Sequence, residues 1–191
     1  MAFLLQDLPD GRAFARFKSF YPQLDPAAVS AFLRIVRVGS DLLAHLDAIL
    51  EHHGLSHGRW ITLILLRREE SLRALPRDLA IKQGVTKATM TGLLAGLERA
   101  GLVRREPADA DGRCSAAVLT TRGVRVLDAV MPGYYEAVSR WLAPLTPDEQ
   151  IELAAMLDRV RAAIGPVAAP LSAPRRGRSV TRVVRRARRN G

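Results

Sequence analysis

A chain of 191 residues with 48% hydrophobic and 25% charged content has the balance of a soluble globular protein, long enough to bury one or two cores as one compact unit with appendages. Its net charge of +10 is concentrated in residues 166–191, which hold Arg175, Arg176, Arg178, Arg182, Arg185, Arg186, Arg188 and Arg189 and no acid, so +10 less those eight leaves +2 for residues 1–165. No apolar run approaches the roughly 20 residues that cross a bilayer, the opening MAFLLQDLPDGR lacks the pattern of a secretory leader, and Cys114 has no second cysteine to pair with, so a cytoplasmic protein without a membrane span or internal disulfide is expected.

Asp25 followed by Pro26 reads as an N-cap with proline at the first helical position. Val29, Phe32, Leu33, Val36, Leu43, Leu46 and Leu50 then recur at helical spacing, predicting a long first helix over residues 26–53 that stops near Gly54. A second helix over residues 57–69 carries Trp60, Ile61, Ile64 and Leu65, with Thr62 interrupting the apolar run. Leu75 and Pro76 open a short helix ending at Gly84, in which Leu79, Ala80 and Ile81 are available for burial. Thr86 is the N-cap of the next helix, which runs to Ala100 and closes on Gly101.

The periodicity then becomes strand-like in LVRRE, passes through PADADGR and returns in SAAVLT, which predicts a hairpin. Thr121 is positioned to cap a further helix bearing Val124, Leu127, Val130, Met131, Tyr135, Val138, Trp141 and Leu142, with a kink expected at Pro132 and Gly133. Thr146-Pro147-Asp148-Glu149 is a strong start for the last helix, which ends near Gly165. The expected organisation is therefore an N-terminal segment with a long helix (1–55), a lobe of short helices closed by a hairpin (56–121), C-terminal helices (122–165) and a basic tail (166–191) with too few large apolar groups to fold alone.

Two short helices joined around a glycine and followed by a hairpin describe a winged helix-turn-helix, so the expected fold class is mainly α with a small β-hairpin wing. In the second of these helices Met90, Leu93, Leu94 and Leu97 share one face, while Ala88, Gly92, Ala95 and Arg99 share the opposite one. That outer face is almost bare, and glycine inside a helix costs about 1 kcal/mol relative to alanine. A close approach to a large partner offsets the cost. In a major groove, Thr89 and Thr91 offer hydroxyls and methyls to base edges and Lys87 reaches a phosphate or a guanine. The bland alternative is that the small residues pack against another protein helix. At the hairpin tip, Asp109-Ala110-Asp111-Gly112-Arg113 presents Arg113 to a narrow minor groove, with Asp111 orienting it or a nearby basic residue; an ordinary solvated turn is the competing reading.

The segments LSHGRWITLILLRR, LPRDLAIKQGVTKATMTGLLAGLERAGLVRR and DADGRCSAAVLTTRG, in that order between Leu55 and Leu157, resemble the MarR family of bacterial transcription regulators. The resemblance implies a homodimer of intertwined terminal helices, two winged lobes on a pseudo-palindromic double-stranded DNA operator, and repression relieved by a small aromatic ligand. It also places DNA contacts on Thr86, Lys87, Thr89, Thr91 and Arg113, beside the bare positions Ala88 and Gly92. Many members carry two adjacent basic residues after the wing aspartate; here Gly112 replaces the first, which implies fewer wing contacts. A dimer is also expected from the residues themselves, because the first and last helices carry more apolar stripe than one small lobe covers.

All four histidines, His45, His52, His53 and His57, fall within 13 positions. Asp41, His45 and His52 share one side of the first helix, with Ala48 between the two histidines and with the apolar stripe roughly opposite. A solvated face, a divalent-metal site and the polar lining of a ligand pocket all fit that spacing. In the resembling family, ligands occupy the crevice beside this helix and Trp60. An aromatic carboxylate of the benzoate, salicylate or hydroxynicotinate kind would find His45, His52 and His53 there, with Arg59 or Arg12 as a further cation and Trp60 as an aromatic wall. No cofactor is expected. Cys114 is adequately explained as a small apolar strand residue. An enzyme is disfavoured because no nucleophile sits in a recognisable turn and no glycine-rich phosphate loop follows a strand. A sequence-tolerant DNA coater, supported by the arginine tail, and a metal-responsive regulator are the remaining alternatives.

Overall fold

The computed structural model describes residues 5–108 and 115–165. The expected wing tip with Asp111 and Arg113, the neighbouring Cys114, and the arginine-rich residues 166–191 lie outside the described residues. The chain divides into two compact units, residues 1–141 and 142–191.

The first unit opens with a helix absent from the sequence-based expectation, α1 (Gly11–Phe20). Its start is set by the Asp10 carboxylate, which accepts from the Ala13 N–H at 2.8 Å. The 3–4 spacing of Phe14, Phe17 and Tyr21 gives the segment a helical periodicity too short to stand out, and none of its ten residues is buried. The long helix α2 (Pro26–His52) begins as anticipated, with Asp25 Oδ1 accepting from the Ala27 and Ala28 N–H groups at 2.9 and 3.2 Å. On this helix Arg37 and Asp41 form an i,i+4 ion pair of 2.7 Å. The next helix is α3 (His57–Arg67).

A two-residue strand, β1 (Arg73–Ala74), then precedes α4 (Pro76–Gln83) and α5 (Lys87–Arg99). The hairpin is β2 (Val103–Pro107) with β3 (Ser115–Leu119), in register from Val103 opposite Leu119 to Pro107 opposite Ser115. β1 adds to the other edge of β3, giving an antiparallel sheet of order β1-β3-β2. The sequence reading missed this third strand, since two residues carry no periodicity. α6 (Thr121–Leu142) contains Pro132 within a single helical assignment. Its cap is Thr120 rather than the expected Thr121: Thr120 Oγ1 accepts from the Gly123 N–H at 3.0 Å, and its hydroxyl faces the Gly101 and Leu102 carbonyls, so the same side chain ties the helix start to the end of α5.

The core of the first unit draws Leu46 and Leu50 from α2, Trp60, Leu63 and Leu66 from α3, Leu79 from α4, Met90, Leu94 and Leu97 from α5, and Leu127 and Val130 from α6. Each fully buried leucine is worth about 1.5–3 kcal/mol. Leu79 and Ala80 are buried as expected, whereas Ile81 is 78% exposed; α4 is a short helix that turns only one narrow stripe inward, and position 81 falls beyond it. Thr62, which interrupts the apolar run of α3, is completely buried. Its hydroxyl lies 2.8 Å from the Gly58 carbonyl and 2.9 Å from Gln83 Oε1, while Gln83 Nε2 donates to the same carbonyl at 2.9 Å. The polar interruption therefore fastens the end of α4 to the start of α3 without leaving either side chain unpaired.

In the second unit α7 (Pro147–Ile164) starts in a complete capping box: Thr146 Oγ1 accepts from the Glu149 N–H at 3.3 Å and Glu149 Oε2 from the Thr146 N–H at 2.8 Å. The Thr146 backbone N–H, and after it the Thr146 hydroxyl, hold the Glu149 carboxyl below its ordinary value, against a smaller opposing effect of desolvation. Because the folded-state pKa is depressed, this contribution is present above the ordinary carboxylate range and is lost as pH falls through the lowered value. Thermal unfolding of the wild type and Glu149→Gln over an acid series is expected to show a stability difference at neutral pH that closes on acidification through that window. A difference that stays constant across the series would contradict this.

Candidate nucleic-acid interface

The geometry of α4 and α5 is set by the three residues between them. Gly84 has φ +69° and ψ 32°, in the left-handed region, and its N–H and that of Val85 satisfy the Ile81 and Ala80 carbonyls at 3.1 and 3.0 Å. A side chain there costs about 1–2 kcal/mol, so glycine is what lets the chain reverse this sharply. Thr86 then caps α5, its Oγ1 accepting from the Thr89 N–H at 3.1 Å. Met90, Leu94 and Leu97 seat the helix on the core.

Seated that way, α5 leaves Lys87, Ala88, Thr89, Thr91, Gly92, Ala95 and Arg99 exposed. A Cβ built at Gly92 would meet no atom within 4 Å. The Lys87 ammonium makes no hydrogen bond or ion pair with any described residue. Thr91 donates its hydroxyl hydrogen to the Lys87 carbonyl at 2.9 Å, and the Thr86 and Thr89 hydroxyls lie 2.9 Å apart. Thr91 therefore turns acceptor lone pairs and a methyl outward. On the wing, Arg104 pairs with Glu106, and Arg105 Nε lies 3.9 Å from Glu98 of α5. The second of these contacts links the wing to the helix beside it.

The residues expected around an effector fall in four places. His45, His52 and His53 line an open cleft of about 700 Å³ together with Ala48, Ile49, Arg140 and Trp141. The His45 ring lies 6.0 Å from that of Trp141, and the His52 and His53 rings meet edge-on at 5.6 Å. Trp60, expected as the aromatic wall, does not line this cleft. It is 3% exposed, packs edge-on against Tyr134 at 4.9 Å, and its Nε1 has no hydrogen-bond partner among the described residues. Arg59 points elsewhere again, onto Gly96 of α5. Arg12 lies on α1, in a groove with Arg16, Phe17 and Tyr21. Sequence reasoning missed Arg140 and Trp141, which are nearly ninety positions from the histidines and join them only because the end of α6 packs on α2. Among the described residues no group of three or more His, Cys, Asp or Glu side chains is placed to hold a metal ion, and no helix is long and apolar enough to cross a membrane.

A three-helix lobe whose last helix, α5, is capped and bare-faced beside a β-wing defines a winged-helix DNA-binding protein. The family model described as MarR family matches residues 53–113, which span α3 to the wing. The chain is 31% identical over 157 residues to the HTH-type transcriptional repressor YetL of Bacillus subtilis, covering 80% of this chain and 92% of that protein. Among solved structures it is similar to AbsC of Streptomyces coelicolor, a MarR family transcriptional regulator, with TM-score 0.69, 27% identity and coverage of 74% of this chain and 96% of that one. It is equally similar to Sco3205 of the same organism, a MarR family regulator solved in complex with DNA, with TM-score 0.69, 29% identity and coverage of 78% and 94%. The chain belongs to the MarR family and is a DNA-binding transcription regulator of that type, not an enzyme.

Proposed function

We propose that the protein is a homodimeric repressor that reads a pseudo-palindromic operator with α5 and leaves it when a small aromatic carboxylate binds. The observation that carries the reading is the outer face of α5, where Ala88, Gly92 and Ala95 are exposed beside Thr89, Thr91 and an unpaired Lys87. A helix stripped of long side chains approaches base edges closely, and the outward lone pairs of Thr91 suit the amino group of adenine or cytosine. Arg113, which lies outside the described residues, supplies the minor-groove contact in this reading.

Dimerisation is supported by apolar surface that one copy leaves in water. Phe32, Val38 and Leu43 of α2 are 60%, 55% and 48% exposed, and Ile151 and Ile164 of α7 are 69% and 70% exposed. A two-fold pair covers such stripes and sets two recognition helices about 34–36 Å apart. Effector binding is supported by the cleft on α2, where three histidines offer ring nitrogens and Arg140 a guanidinium beside the Trp141 ring. Footprinting of the full-length protein upstream of its own gene, with and without benzoate, salicylate and hydroxynicotinate, tests both halves. A protected, nearly palindromic site that one of the acids clears is the expected result. Uniform protection without a preferred site means a sequence-tolerant coater, and a site that no acid clears removes the effector.

A further inference from the structure

We infer that Arg59 of α3 is a phosphate-contacting residue that clamps the DNA backbone along the flank of α5, and that position 96 is glycine in order to seat it. The inference rests on the DNA-binding reading and adds a contact from outside the helix-turn-helix and its wing.

Gly96 is buried although it carries no side chain, because the Arg59 guanidinium covers it. A Cβ at Gly96 would lie 2.5 Å from Arg59 Nη2 and 2.8 Å from both Cζ and Nε, so the guanidinium rests directly on the helix backbone. Viewed down α5 at about 100° per residue, position 96 stands some 40° round from Gly92, between the bare face and Thr89. The cation is thus held at the border of the surface that faces DNA. It has no counter-charge among the described residues: the Arg59 side chain makes no hydrogen bond or ion pair with any of them. It is only part-buried, so the side chain is not closed off from solvent. A planar guanidinium held flat and unpaired is suited to bidentate recognition of an oxyanion. Its place beside the recognition helix favours a backbone phosphate over the carboxylate of a small effector, since the histidine cleft is lined by other residues.

The test compares the salt dependence of operator and random-DNA binding for the wild type, Arg59→Gln, Arg59→Lys and Gly96→Ala, with thermal unfolding of each. Arg59→Gln is expected to lower the slope of log K against log salt by about 0.9, which is about eightfold in affinity at 0.1 M salt, to a similar extent on both DNAs. Arg59→Lys is expected to keep the slope. Gly96→Ala retains the charge but pushes the guanidinium off its seat, so operator affinity is expected to fall while the unfolding midpoint stays at or above that of wild type, alanine being the better helix former. Affinity and stability moving in opposite directions is a result that a merely structural arginine does not give. An unchanged slope in Arg59→Gln overturns the inference, as does wild-type affinity in Gly96→Ala. So does an Arg59→Gln protein that binds DNA normally but no longer responds to aromatic carboxylates, which would make the site one for effector. In each of these cases operator selection by the wild type still stands; wild-type protein without any operator preference would remove the DNA reading itself.

Discussion

Gly92→Glu is expected to abolish operator selection while leaving the fold intact. The substitution places a long anionic side chain at the centre of the outer face of α5, where a Cβ meets nothing within 4 Å of the protein. The fold has no reason to resist it, and glutamate is a better helix former than glycine by roughly 0.5–1 kcal/mol. Against DNA, the same side chain holds the helix off the groove floor and sets a carboxylate among phosphates. Specific binding exceeds non-specific binding by typically about 10³ or more, and that ratio is expected to collapse towards one. Competition binding with operator and random duplexes, alongside circular dichroism of the variant, checks it. A correctly folded Gly92→Glu protein that still prefers its operator would mean that this face does not enter the groove.

Gly123→Ala is expected to act on the opposite link, destabilising the lobe by about 1–3 kcal/mol as an overpacked core site. A Cβ at position 123 would lie 2.3 Å from the Leu102 carbonyl oxygen and 2.7 Å from Leu119 Cδ1. The Leu102 oxygen is backbone at the start of the hairpin and already accepts from the Thr120 N–H at 3.1 Å, so it has little freedom to retreat. Shifting it moves the end of α5, the first wing strand and the start of α6 together. Chemical denaturation is expected to show a lower midpoint with an unchanged slope, and DNA binding at low temperature should be retained. A variant as stable as wild type would show that the α6 start yields without cost.

Much of this architecture is legible in local chemistry. The caps at Asp25, Thr86 and Thr146, the left-handed glycines at 84 and 101, and the 3–4 spacing of Met90, Leu94 and Leu97 all act within a few residues, so the sequence alone places the helices that carry them. The bare face of α5 follows from the same spacing, because the buried side of a short helix determines which residues remain outside. What local pattern misplaced is equally physical. α1 is ten residues long with no buried member, β1 is two residues long, and Ile81 is apolar yet exposed; none of them carries enough periodicity to reveal its place. Thr120 and Thr121 are chemically the same cap until the Leu102 carbonyl selects one.

By itself, then, the amino-acid order determined the class of the protein and which face of α5 stays bare, since both depend on turns, caps and stripes only a few residues long. The tertiary structure decided which distant groups share a surface. It brought Arg140 and Trp141 to the histidines of α2, withdrew Trp60 into the core against Tyr134, and laid Arg59 of α3 across Gly96 of α5. Those juxtapositions arise where one helix packs on another, and the rotation and depth of that packing depend on side chains from every element in the core at once.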